Sequence, residues 1–257
     1  MKKSKVTFSY LYKPKSVNQN NYVDYLNDEN NKIIISIGPA GTGKTLFACQ
    51  KAINQMKNQE IDKIIITRPI VTIEEDIGFL PGNIIKKMDP WTKPIFDIFL
   101  EYYSKSELDL LLLNGKIEIC PLVFMRGRTF KNSFIIADEM QNSSPNQMKM
   151  LSTRLGVNSR MVITGDLNQT DILKANGLED LINKVKLFNN SKLIKYVNLN
   201  NDDIERSDIV KEIINLYSYI KPINKIINNN SNYDAALIPK KHITTNYDIY
   251  FGPTDFY

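Results

Sequence analysis

From residue 33 to about 218 the chain alternates short β-branched runs with stretches of helical spacing. Ile33, Ile34, Ile35 and Ile37 form a compact apolar run of the kind that fits a buried strand. Behind it, LFACQKAINQM sets Leu46, Ala48, Ala52, Ile53 and Met56 at roughly helical spacing, which predicts a helix over about 44–57. KIIITRP, 63–69, reads as a second strand ending at Pro69. SELDLLLLNGK, 106–116, reads as a helix ending near Gly115, followed by strand candidates KIEICPL (116–122) and NSFIIADE (132–139). SPNQMKMLSTRLG, 144–156, has Ser144 as cap, Pro145 at the first helical position and Gly156 as stop. SRMVITGD (159–166) and KLIKYVNLN read as strands, NGLEDLINKVKLF and SDIVKEIINLYSYI as helices, the last starting at Ser207 or Asp208. Strands alternating with helices predict an α/β domain with a mostly parallel sheet and helices on both faces.

Three stretches break the rhythm. Residues 1–20 read as extended, punctuated by Pro14, and NYVDYLNDEN (21–30) as a short amphipathic helix. The stretch from Ile70 to Phe99 carries Pro81-Gly82, Pro90 and Pro94 and reads as short helical pieces lying over the carboxyl edge of the sheet. Beyond residue 219 no period is sustained. The expected organisation is an N-terminal segment over 1–20, one domain over 21–218, and a C-terminal extension over 219–257, docked on the core or irregular.

Composition narrows the class. The 257 residues, 42% hydrophobic, suffice for one α/β domain with additions. Two cysteines argue against a disulfide framework: Cys49 lies on the apolar helix and Cys120 at a strand end, and neither they nor the one histidine show metal-site spacing. No apolar run is long enough to span a bilayer, and the basic start lacks the apolar region of a signal peptide, so a cytoplasmic protein is expected. The net charge of +5 favours nucleic acid weakly and does not establish it.

Chemistry concentrates at predicted strand ends, where ligands of such sheets collect. GPAGTGKT, 38–45, meets the pattern G-x-x-x-x-G-K-T in full, between a strand and a helix as that pattern requires. Backbone N–H groups of Gly41 through Thr45 can wrap a phosphate at the helix N-terminus, with glycine permitting the curled backbone. Lys44 reaches the β and γ phosphates and Thr45 places a hydroxyl on Mg²⁺. The cradle for ATP comprises Gly38, Pro39, Ala40, Gly41, Thr42, Gly43, Lys44, Thr45 and Leu46. FIIADE supplies the acids: Asp138 for the metal and Glu139 as the base that polarises water. In VITGDLNQTD, Thr164, Gly165 and Asp166 end a strand, and the neutral amides Asn168 and Gln169 can donate to phosphate or orient water; a plain turn is the rival reading. Arg68 follows a strand end and points toward the active edge, whereas Arg126 and Arg128 sit at a strand entry, far from it unless the loop folds back. Arg206, before the last helix, can meet a γ-phosphate in cis or across a subunit boundary.

The order and wording of KPKSVNQNNYV, GPAGTGKT, TRPIV, EDIGFLPG, DPWTKPIFD, CPLVFMRGRTF, FIIADEMQN, KMLSTRLG and ITGDLNQTD resemble the PhoH family of P-loop ATPases from about Pro14 to Tyr217. The resemblance implies a RecA-like P-loop NTPase related to superfamily-one helicase cores. It implies that Gln19 reads the adenine edge, that Arg68 couples nucleotide to nucleic acid, and that Gln169 senses the γ-phosphate. It matches Arg206 to the arginine of a C-terminal family segment, where the family's histidine is replaced by Ser207, and it places Trp91 where a tyrosine is usual. It further implies ATP and Mg²⁺ as cofactors, single-stranded RNA as partner with DNA not excluded, and a homo-oligomer of the hexameric-ring type. A short form without the nuclease or RNA-binding domains of some relatives is expected. The leading function is ATP hydrolysis that moves or remodels RNA. A small-molecule kinase and a nucleotide-dependent scaffold without turnover are the rivals.

Overall fold

The computed structural model describes residues 11–69, 84–170, 175–188, 191–205 and 207–218. Its elements are α1 (Val17–Asn27), β1 (Ile33–Ile37), α2 (Lys44–Lys57), β2 (Lys63–Thr67), α3 (Ile84–Leu100), α4 (Lys105–Leu113), β3 (Ile117–Ile119), β4 (Ser133–Ala137), α5 (Pro145–Ser152), β5 (Arg160–Gly165), α6 (Gly177–Phe188), β6 (Ile194–Asn198) and α7 (Asp208–Ser218). The six strands form one sheet in the order β3-β2-β4-β5-β1-β6, and each pairing is parallel. The β-branched runs make the central strands: β1, β4 and β5 are buried almost throughout, as a parallel sheet covered on both faces demands.

Two apolar layers hold the sheet. One gathers Tyr22 and Leu26 of α1, Phe47 and Ile53 of α2, Ile95 and Phe99 of α3 and Leu108 of α4 against Ile34, Ile64, Phe134 and Val162. The other sets Met148 and Leu151 of α5 and Leu178 and Ile182 of α6 against Ile35, Ile65, Ile135 and Ile163. Alternate residues of each strand feed opposite layers, the period-two rule of a strand.

Several boundaries differ from expectation for visible reasons. α1 begins at Val17 and not at residue 21, because Ser16 and Gln19 form a capping box. A single 17-residue α3 runs through Pro90 and Pro94 where short pieces were expected, its apolar residues Ile95 and Phe99 fully packed in the first layer. The packing outweighs the hydrogen bond that each proline removes. α5 stops at Ser152, short of Gly156, whose N–H instead donates to Phe130 O at 2.7 Å. Pro81-Gly82 and the tail beyond 219 lie outside the described residues.

By compactness the chain divides into units 1–211 and 212–257, and the whole sheet belongs to the first. Among the described residues no helix is long and apolar enough to cross a membrane.

Candidate nucleotide site

β1 ends and α2 begins around the glycine loop. Gly38 holds φ +142°, and a Cβ there would stand 2.3 Å from Leu199 O, so no larger residue fits. Gly43, at φ +87°, caps α2 in the left-handed region with no side chain of its own. Thr42 Oγ1 donates to Pro39 O at 2.8 Å and closes the loop on itself. Lys44 Nζ donates to Gly38 O at 2.6 Å and Pro39 O at 2.7 Å. Burial lowers the pKa of Lys44, and the carboxylates of Asp166, Glu139 and Asp138 oppose the shift, so the ammonium lies within the field of all three acids.

Sheet register delivers the acids. β5 lies between β1 and β4, with Ile37 opposite Gly165 and Ala137 opposite Ile163. The residues just past those pairs therefore converge at one edge. Thr45 Oγ1 donates to Asp138 Oδ1 at 2.8 Å, and the Thr164 hydroxyl donates to the same oxygen. Glu139 follows in the left-handed region, at φ +54°. For a non-glycine residue this costs about 1–3 kcal/mol. It lines the same cavity as Lys44, Thr45 and Asp138.

Gln141 ties this group to the next strand. Its side chain is 1% exposed. Nε2 donates to Glu139 Oε2 at 2.5 Å and to Gln169 O at 3.2 Å, while Oε1 accepts from Asp166 N at 3.1 Å. Sequence reasoning missed this residue and the bond from Thr164. A polar residue two places past Glu139 was visible, but which partner its amide reaches depends on the β5 turn folding back across β4. The shared partner of Thr164 and Thr45 likewise exists only through strand register.

The structure thus brings Lys44, Thr45, Asp138 and Glu139 into one cavity of about 720 Å³, with Ala40, Gly41, Gly43, Leu46 and Arg68 also on its wall. Gln169 joins through its backbone; its side chain is exposed and off the cavity wall. Gln19 is buried, with its amide used by the backbone. Oε1 accepts from Lys15 N at 2.8 Å and Ser16 N at 3.4 Å, and Nε2 donates to Thr42 O at 3.3 Å and Asp203 O at 3.1 Å. Arg128 is committed elsewhere: it forms a two-pronged ion pair with Glu118, donates to Cys120 Sγ at 3.1 Å and lies over the Phe130 ring. Arg126 is exposed and off the cavity wall. Arg206 lies outside the described residues.

The donors fit Mg²⁺. Hydroxyl and carboxylate oxygens are hard ligands, and Mg²⁺ characteristically takes one or two carboxylates, leaving other positions to phosphate and water. Asp138 with Thr45 supplies such a half-set, and the described residues contain no cluster of three or more acids, cysteines or histidines that would suit a caged ion.

A parallel sheet with a glycine loop, a lysine and a hydroxyl–carboxylate pair at its carboxyl edge defines an α/β protein with a P-loop NTPase core. The particular family follows from comparison: the model of the family described as "PhoH-like protein" matches residues 12–218, and the chain belongs to that family. Among relatives, the PhoH-like protein of Bacillus subtilis is 41% identical over 205 residues, covering 79% of this chain and 63% of the relative. That of Mycobacterium tuberculosis (strain H37Rv) is 39% identical over 206 residues, covering 80% and 58%, and the protein PhoH of Escherichia coli K12 is 36% identical over 200 residues, covering 74% and 54%. The chain therefore spans between 54% and 63% of the length of these three relatives. Pif1 helicase from Candida albicans is similar at 14% identity and a TM-score of 0.41 over 79% of this chain and 43% of that one, too loose to bear on function.

Proposed function

We propose that the chain binds ATP with Mg²⁺ in this cavity, hydrolyses it, and couples turnover to single-stranded RNA. The observation that carries the reading is the contact of Thr45 with Asp138, made beside Lys44 and in one cavity with Glu139. In this reading the N–H groups of Gly41 through Thr45 hold the phosphates, and Lys44 exchanges its two carbonyl partners for β and γ oxygens. Thr45 and Asp138 hold Mg²⁺, which when bound offsets charge on the transferring phosphate. Glu139, oriented by Gln141, accepts the proton of the attacking water. Asp166 and Gln169 sit behind Gln141, so a change at the γ-phosphate has a mechanical route to the turn after β5. Arg68 on the cavity wall is the residue we assign to coupling with RNA. Arg126 is a candidate for a peripheral strand contact, and Arg206 for completing the site in an oligomer.

The test is phosphate release from MgATP with no added acceptor, with and without single-stranded RNA or DNA, over a range of salt. Turnover in water alone separates hydrolysis from transfer to a small acceptor. Stimulation by RNA that weakens as salt rises is the expected signature of phosphate contacts. Lys44→Ala should lose both affinity and turnover, and unchanged turnover in that variant would remove the phosphate-loop assignment.

A further inference from the structure

The cavity is larger than its phosphate end. Beyond the glycine loop one side of its wall is apolar, built by Trp91, Pro94, Ile95 and Ile98 of α3, with Tyr12 of the N-terminal segment also on the wall. The four α3 positions stand at i, i+3, i+4 and i+7 and so share one face of the helix. The N-terminal segment is held in place by a reciprocal pair: Tyr12 N donates to Gln50 Oε1 at 2.9 Å and Gln50 Nε2 donates to Tyr12 O at 2.9 Å. A triphosphate on Lys44 and Thr45 leaves its base to be received by this wall.

We propose that this end of the cavity is a stacking slot built on Trp91 that takes the nucleobase without reading its edge, so that purine and pyrimidine nucleoside triphosphates are accepted alike. The inference rests on the nucleotide reading above. Reading an edge needs donors and acceptors with free capacity. A side-chain amide has two N–H donors and two acceptor lone pairs. Those of Gln19, the amide side chain on the described cavity wall, are all taken by Lys15, Ser16, Thr42 and Asp203. Lys15 and Glu205, on the same wall, are paired with each other at 2.7 Å. Lys13 adds an exposed ammonium, a pure donor on a flexible stem that meets any base carbonyl or ring nitrogen equally. Aromatic stacking, by contrast, tolerates every base because every base has a π-face. Sites that hydrogen-bond their substrate through dedicated buried groups discriminate by about 10⁴–10⁵-fold; on the described wall the buried amide of Gln19 is spent, and the polar groups left at this end, Lys13, Lys15, Glu205 and the Ser207 hydroxyl, are exposed.

Trp91 is the single tryptophan of the chain, so intrinsic fluorescence reports on that position alone. The experiment titrates the full-length protein with ATP, GTP, CTP, UTP and inorganic tripolyphosphate, following fluorescence and phosphate release. The expected result is quenching of similar depth by all four nucleotides, none by tripolyphosphate although it competes for the loop, and kcat/KM values within about tenfold of one another. Trp91→Ala should raise KM for all four by about 5- to 100-fold, and Trp91→Phe should restore most of the loss. A preference for ATP above about 100-fold, or an unchanged KM in Trp91→Ala, overturns the slot and leaves hydrolysis standing. Quenching by a single-stranded oligonucleotide that tripolyphosphate does not relieve overturns it too, by giving Trp91 to a strand. Equal quenching by four nucleotides with no phosphate released from any supports the slot while the hydrolysis reading fails.

Discussion

Replacing Gln141 by methionine keeps the buried volume and deletes three hydrogen bonds. The bond to the Glu139 carboxylate is charge-assisted, worth about 1.5–3 kcal/mol. Asp166 is buried, so its orphaned N–H adds about 1–3 kcal/mol. The Gln169 carbonyl sits in an exposed turn and finds water. Because Glu139 is only half-buried and recovers water, the expected loss of stability is about 2–4 kcal/mol, read from urea denaturation. In phosphate release, kcat should fall by about 10- to 100-fold with KM for MgATP nearly unchanged, since no group that holds the nucleotide has moved. Glu139→Gln should itself lower kcat by about 10²–10⁴-fold. The double variant decides whether Gln141 acts through Glu139: once the carboxylate is gone, Gln141→Met should cost little further kcat. A Gln141→Met effect that is undiminished in the Glu139→Gln background, or one that falls on KM, would refute the positioning role.

Three further outcomes are expected. Arg160 sends its guanidinium to the carbonyls of Tyr25, Leu26, Asp28 and Asn31 and so caps the end of α1, and Arg160→Met should lower stability by about 2–5 kcal/mol; a midpoint shift worth less than about 1 kcal/mol would show that water replaces it. Burial raises Tyr102 and Tyr103 from 10.0 to about 12, so their neutral forms support the fold fully below pH 10 and that support is lost as pH rises through about 12; the melting temperature should drop across this window, less so in a Tyr102→Phe/Tyr103→Phe variant, and equal drops would exclude the two phenols. If Arg206 completes a neighbouring site, mixing Arg206→Ala with Lys44→Ala protein should restore part of the turnover, whereas full activity of Arg206→Ala alone would remove it from the mechanism.

Most of the elements and the glycine loop were legible in the linear chain because their causes are local. A β-branched run, a glycine loop and a helical repeat each act within a few residues, and β1, Gly38–Thr45 and α2 follow one another without a gap. Asp138 and Glu139 were legible for the same reason, as acids directly after four apolar strand residues. What the linear chain left open are the relations between elements. That β5 comes between β1 and β4 puts Thr164 beside Asp138 and hangs the Asp166 turn on Gln141, residues far apart in sequence whose pairing depends on strand order. That Gln19 is spent on backbone groups depends on α1, the glycine loop and the turn at Asp203 meeting in space. That Arg128 faces Glu118 depends on where the loop after β3 turns. A side chain's chemistry is written in its type, but its unspent hydrogen-bonding capacity is settled only when the fold has chosen its partners.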